Sequence, residues 1–251
     1  VKKVHRLKKN LLLSLPLAAL LAVSLPVFAA DPPPPGWHGS FSAGLSMNSG
    51  NSDARSFNLG VDLKYDPKTK NVLKLGALYL RSDANDTTTS DKLSAFARDE
   101  YSITDRFFAY GEVSFLRDKV ALLDSLFAPA AGVGYKLIKT DTTTLDVSAG
   151  FGGAFEKYEG RESTSSAAIL AGESVAWKIS PTVALTQKAT ALWKTKDTGD
   201  AYYHFEAGLT TSLSKLLELK VAYLLDHKTR PAIPTLDKTD TALIVAVVAK
   251  F

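Results

Sequence analysis

Three histidines follow residue 29, and they are the first candidates for chemistry: His38, His204 and His227. The chain has no Cys, so a metal site would have to be built from histidines and carboxylates. His204 and His227 lie on consecutive strand-like segments joined through Ser214. A tight turn there sets His204 opposite roughly residue 224, and the two imidazoles, of opposite parity, point to opposite faces. They do not share a metal, and each reads as an interface or loop histidine. A serine hydrolase needs Ser, His and a carboxylate or amide converging within hydrogen-bond reach. Serines are plentiful, but no nucleophile-elbow run is present. The adjacent acids Asp99 and Glu100 point in opposite directions along a strand, and the phosphate-binding glycine motifs are absent. The expectation is a non-enzyme with no metal and no cofactor.

The positions of the remaining polar groups depend on the elements that carry them. Residues 1–29 read as a cleaved secretory signal. Lys2, Lys3, Arg6, Lys8 and Lys9 are followed by an apolar run over 11–28, and Val27 and Ala29 supply the −3 and −1 positions of a cleavage site. A membrane anchor is the competing reading, and Pro16 and Pro26 interrupt it. Without this segment, which holds five of the 30 Lys and Arg and none of the 26 Asp and Glu, the formal charge falls from +4 to −1. The basic excess therefore gives no reason to expect a nucleic-acid partner. Residues 30–36 form a Pro-rich, extended leader.

From residue 37 to 251 the chain alternates apolar and polar residues in segments of about ten, the period of a β-strand. Twelve segments are expected: 37–47, 54–65, 71–82, 90–102, 105–117, 126–138, 143–156, 166–178, 182–194, 202–213, 215–227 and 237–251. Tight turns at Thr104-Asp105, 139–142, Ser180-Pro181 and Ser214 alternate with longer polar loops at 83–89, 158–165 and 228–236. Short turns on one rim and long loops on the other suit an all-β, closed antiparallel transmembrane barrel of about twelve strands in the cell outer membrane.

Residue parity supports the barrel over a soluble sandwich. Of the 23 aromatic residues after position 29, 18 are odd-numbered; the exceptions are Phe96, Phe108, Tyr110, Tyr158 and Tyr202. The odd aromatics cluster at both ends of the segments, as two lipid-facing belts require. Asp99 and Glu173 break the pattern, and β-bulges are expected to re-aim them. Charges within segments are mostly even. In a closed barrel Lys64, Lys74, Arg98, Glu100, Glu112, Lys136, Lys188, Glu206 and Lys220 would line the lumen. Glycines on that same even face read as sites of wall curvature or of lumen space.

Several runs resemble the salt-induced outer-membrane protein family, YdiY-like, also named domain of unknown function 481. They are Gly36-Trp37-His38-Gly39-Ser40, the run Ser49 to Ser56, Leu123-Asp124-Ser125, Ala131-Gly132-Val133-Gly134-Tyr135 and Lys238-Thr239-Asp240-Thr241. The resemblance covers nearly all of the chain after the signal. It implies an outer-membrane barrel and carries no catalytic residues. Phe251, behind Leu243, Val245 and Val247, resembles the terminal signal read by the barrel-assembly machinery, with Ala249 where a second aromatic is frequent.

The expected partners are outer-membrane lipids and, during insertion, the assembly machinery. The functional expectation is a narrow passive channel for small solutes or ions. Its alternative is a non-conducting structural or salt- and envelope-stress-related barrel.

Overall fold

Strands form here because Val, Leu, Tyr and Phe at every second position place one continuous apolar face on a pleated backbone. The computed structural model describes residues 34–48 and 54–251. The expected signal, most of the leader and the Ser49–Asp53 run lie outside the described residues. Twelve strands run in order: β1 (Gly36–Asn48), β2 (Ala54–Asp66), β3 (Asn71–Ala84), β4 (Thr87–Ser102), β5 (Phe107–Asp118) and β6 (Leu123–Lys139). They continue as β7 (Thr143–Tyr158), β8 (Thr164–Lys178), β9 (Val183–Lys194), β10 (Ala201–Ser212), β11 (Leu217–Lys228) and β12 (Thr239–Lys250). Each pairs antiparallel with its sequence neighbours, and β1 pairs with β12 to close the barrel. No sheet edge is left.

Closure is made by a short register, Ser40 to Ala43 against Lys250 to Val247. Reciprocal backbone bonds between Gly39 and Phe251, of 3.1 and 3.0 Å, extend it. The Phe251 ring stacks on Phe41 with centroids 5.4 Å apart. Connections on this rim, such as 140–142 and 213–216, have three or four residues. The rim that holds the short turns and both strand ends is the periplasmic one.

Parity holds through most of the wall. Leu45, Leu59, Leu243, Val245 and Val247 are exposed on the outside, whereas Ile244, Ala246 and Val248 are buried within. The two belts form as pairs across neighbouring strands. Trp37 meets Tyr65 at the periplasmic rim; Phe57 meets Tyr79 and Phe127 meets Phe155 at the other. There, too, the Trp193 indole donates to the Tyr203 hydroxyl at 3.0 Å.

Three expectations are corrected. The polar run 83–89 is not a long loop: β3 and β4 run on to Ala84 and Thr87, leaving Asn85 and Asp86, at φ 50° and 59°, as a two-residue turn. Both residues have the positive φ that matches strand twist in a tight hairpin. The β10–β11 turn is not pivoted on Ser214. Four residues make it, with Leu213 and Ser214 N–H both donating to the Leu217 carbonyl, so His204 faces Asp226 rather than residue 224. No bulge re-aims Asp99 or Glu173; the register shifts lie at 82/83, 116/118, 123/125 and 136/138. Asp99 and Glu173 stay exposed on the outer face, bonded to Asn71 and Gln187 at 2.6 Å each. Some inward glycines also make room for the even aromatics. A Cβ on Gly76 would meet the Phe96 ring at 2.4 Å, and one on Gly134 would meet Phe108 at 2.2 Å. The rings lie against the wall of the next strand because no side chain stands there.

Candidate functional site: the barrel interior

The interior is graded from one mouth to the other. At the periplasmic end Lys250 donates to Glu218 at 2.5 Å and Lys220 to Glu206 at 2.9 Å. Lys64 stands at the rim, paired with Asp66 at 3.0 Å. In the middle, register places Lys74, Arg98 and Glu112 side by side on β3, β4 and β5. Lys74 and Arg98 both bond Glu100, at 2.7 and 2.8 Å, and Arg98 reaches Glu112 at 2.9 Å. The Arg98 guanidinium also lies 3.7 Å from the centroid of the Tyr110 ring, a favourable cation–π geometry.

Two lysines of the expected set have no carboxylate within ion-pair distance among the described residues. Lys136, on β6, lies opposite Asp146 in the register but has its ammonium 5.9 Å from the Phe108 ring. Lys188 turns away from its cross-strand neighbour Glu206 and places its ammonium 4.7 Å from the Phe96 ring. Lys188 is on β9 and Phe96 on β4, five strands round the wall, so this side chain crosses the bore.

At the extracellular end, ion pairs join walls that are not neighbours. Lys92 of β4 binds Asp226 of β11, and Asp118 stands 3.4 Å from the same ammonium. Asp226 also accepts from the Tyr202 hydroxyl at 2.5 Å and contacts His204 Nδ1 at 2.7 Å. Glu156 of β7 binds Lys194 of β9 and, at 2.9 Å, Lys228 of β11. Asp200, in the β9–β10 loop, contacts Lys194 at 2.6 Å and Lys228 at 2.9 Å. Burial works against its charge, but hydrogen bonds from both lysines prevail and hold its carboxyl below the ordinary range.

Two aliphatic clusters pack around these pairs. Leu116, Leu123, Leu126 and Leu192 form one, and Leu80, Leu224 and Ile244 the other. Loop 229–238 lies over the mouth. Its Ala232 is buried, and Pro231 and Leu236 roof a cavity of about 50 Å³ that Lys92, Asp226 and Tyr202 also line.

Side-chain exposure tracks this change. It is 39% at Lys250, 27% at Lys220 and 36% at Lys74, but 11% at Lys92, 9% at Asp226 and 2% at Glu156. The lysines are more exposed toward the periplasm. Arg98, Glu100 and Glu112 at 13–17% match Lys228 and Asp200 at 17%, and the heavily buried Asp226 and Glu156 lie at the extracellular end. Parity alone points the nine expected charges inward, but Lys92, Tyr202, His204 and Asp226 are absent from that set. Their even numbers were a usable signal; their mutual contact across the bore was not.

A closed, antiparallel twelve-strand wall with a charged interior, an apolar exterior and two aromatic belts defines an outer-membrane β-barrel. Solved outer-membrane barrels share this fold. An outer-membrane channel from Pseudomonas putida F1 superposes with a TM-score of 0.53 at 10% identity, over 91% of this chain and all of that one. The NanC porin superposes with a TM-score of 0.51 at 9% identity, over 84% and 98%. The chain belongs to the DUF481 family, proteins of unknown function, whose profile matches residues 41–251. It is 22% identical to the uncharacterized protein YdiY of Escherichia coli K12 over 204 residues, 81% of this chain and 79% of that one.

Proposed function

We propose that the protein is a narrow passive pathway for small solutes or ions, held shut at its extracellular end in this conformation. The observation that carries this is the graded exposure of the lysines. The Lys250, Lys220 and Lys74 side chains are partly open to solvent, and the closure above them is crossed by ion pairs such as Lys92–Asp226. A barrel that served only as a rigid wall would gain nothing from a partly open, charged half. The polar lining is assigned to Lys64, Lys74, Arg98, Glu100, Glu112, Lys136, Lys188, Glu206 and Lys220. Residues 1–29 act as the signal, so the mature chain begins near Ala30. Phe251 serves the assembly machinery as the terminal mark.

Purified protein in planar bilayers tests the pathway. Discrete conductance steps that change size on charge reversal at Lys74 or Glu112 support it. A second reading, a non-conducting envelope barrel with a structural or salt-stress role, is favoured by one observation: the aliphatic clusters around Leu116 and Leu224 fill the outer half beside the ion pairs. A silent bilayer with verified insertion would select it.

A further inference from the structure

Two polar pairs stand on the outer face, Asp99 with Asn71 at the periplasmic end of β3 and β4 and Glu173 with Gln187 further into the apolar band. Glu173 is exposed on β8, four residues from Trp177 of the periplasmic belt. With a rise of about 3.3 Å per residue and a tilt near ~40°, it stands roughly 10 Å above that belt, within an apolar band of ~25 Å. Gln187 Nε2 donates to its Oε1 at 2.6 Å. Among the described residues no other hydrogen bond uses either side chain, so one N–H of Gln187 and one oxygen of Glu173 are unmatched. Carboxylates at such depth ordinarily face a protein interior or a partner.

Small outward residues lie next to this pair, together with Val147 opposite Glu173 and Val175 opposite Gln187. Ala149, Ala171 and Ala191 stand in one row across β7, β8 and β9, and Ala189 lies directly opposite Glu173. Bulkier outward side chains, Phe151 and Ile169, flank the row. Small residues let two backbones approach closely within a membrane, and polar side chains then bond across the contact.

We propose that this patch is the contact face of a homodimer, packed about a two-fold axis, in which Gln187 of each copy donates its unused N–H to Glu173 of the other. A second copy fits better than a lipid. An acyl chain offers no donor to the carboxylate, and headgroups lie a belt's height away. The unmatched groups are one N–H of Gln187 and two acceptors, Gln187 Oε1 and one Glu173 oxygen; across a two-fold axis the donor of each copy meets the Glu173 oxygen of the other.

The absence of Cys allows a clean test in native membranes. Ala171→Cys and Ala189→Cys variants, oxidised in outer-membrane vesicles, should give a disulfide-linked dimer on non-reducing gels. Val245→Cys, on the far side of the wall, should not. Native mass spectrometry of detergent-extracted protein should show the dimer fraction falling at least tenfold in Glu173→Leu but retained in Glu173→Gln, which keeps the hydrogen bonding. Heat-modifiable gel mobility confirms that each variant is folded. Monomer at both Cys positions, equal cross-linking at Val245→Cys, or an undiminished dimer in Glu173→Leu would each overturn the proposal. A monomer that Glu173→Leu makes more stable would assign the patch to lipid instead. None of these outcomes bears on conduction, so this inference and the channel reading fail separately.

Discussion

Asp226 gathers three donors at the extracellular end of the bore, and replacing it by Ala should destabilise the barrel more than any rim charge would. Its side chain is 9% exposed and meets the Lys92 ammonium, the Tyr202 hydroxyl and His204 Nδ1. Without it, Lys92 retains only Asp118 at 3.4 Å, and the Tyr202 hydroxyl loses its acceptor. Stranding one partner of a buried ion pair costs about 3–5 kcal/mol. The remaining Asp118 places the expected loss at the low end, about 3 kcal/mol. Lys92→Met combined with Asp226→Leu and Asp118→Asn removes the pair without leaving Asp118 as an unpaired buried charge. It should recover at least about 1 kcal/mol relative to Asp226→Ala, because apolar replacement of both partners is often close to neutral. Urea titration of the refolded protein, followed by the fluorescence of Trp37, Trp177 and Trp193 and by gel mobility, measures both. A loss below about 1 kcal/mol in Asp226→Ala, or a triple variant as unstable as its three single changes added together, would refute the claim that the closure is held by this pair.

Gly76→Ala should cost about 1–3 kcal/mol by overpacking against the Phe96 ring, and Phe96→Leu in the same chain should restore part of it in the same titration. Asp200→Asn should lower the urea midpoint at pH 7. The native carboxyl lies below its ordinary value of 3.8, so its contribution is complete above that pH and is lost as pH falls through the native value. The difference between wild type and variant should therefore disappear in acid, and a difference unchanged at pH 2 would contradict the assignment. Deleting Phe251 should sharply reduce the barrel assembled in cells yet only slightly impair refolding in detergent, where the bonds between Gly39 and Phe251 are a small part of the wall; equal failure in both would reduce Phe251 to a belt residue. Amino-terminal sequencing of protein from the outer-membrane fraction should begin near Ala30.

Much of the wall is legible in the residues themselves. Side-chain direction along a strand is local and has a period of two, so Leu59, Val61 and Leu63 against Asn58, Gly60 and Asp62 already define an outside and an inside. Twelve such segments with belt aromatics at both ends lead to an outer-membrane barrel before any contact is known. Turn geometry is less legible. Residues 83–89 have loop composition, yet Asn85 and Asp86 alone make the turn, because two residues with positive φ suffice to reverse twisted strands. The β10–β11 register shifts by two for a similar reason, which preserves parity and so leaves the faces correct while changing the partner of His204.

The functional interior belongs to closure. Lys92 and Asp226 are 134 residues apart and sit five strands apart round the wall. No spacing in the chain distinguishes Asp226 from the other inward acids as the partner of Lys92. That choice depends on curvature, which brings opposite walls within side-chain reach, and on the burial of the outer mouth by Leu116, Leu224 and loop 229–238. The strands, their two faces and the membrane they cross follow from local alternation and the lipid solvent, and so can be read residue by residue. Which charges meet, which mouth holds the most buried pairs and that Glu173 remains facing outward depend instead on register and closure summed around all twelve strands.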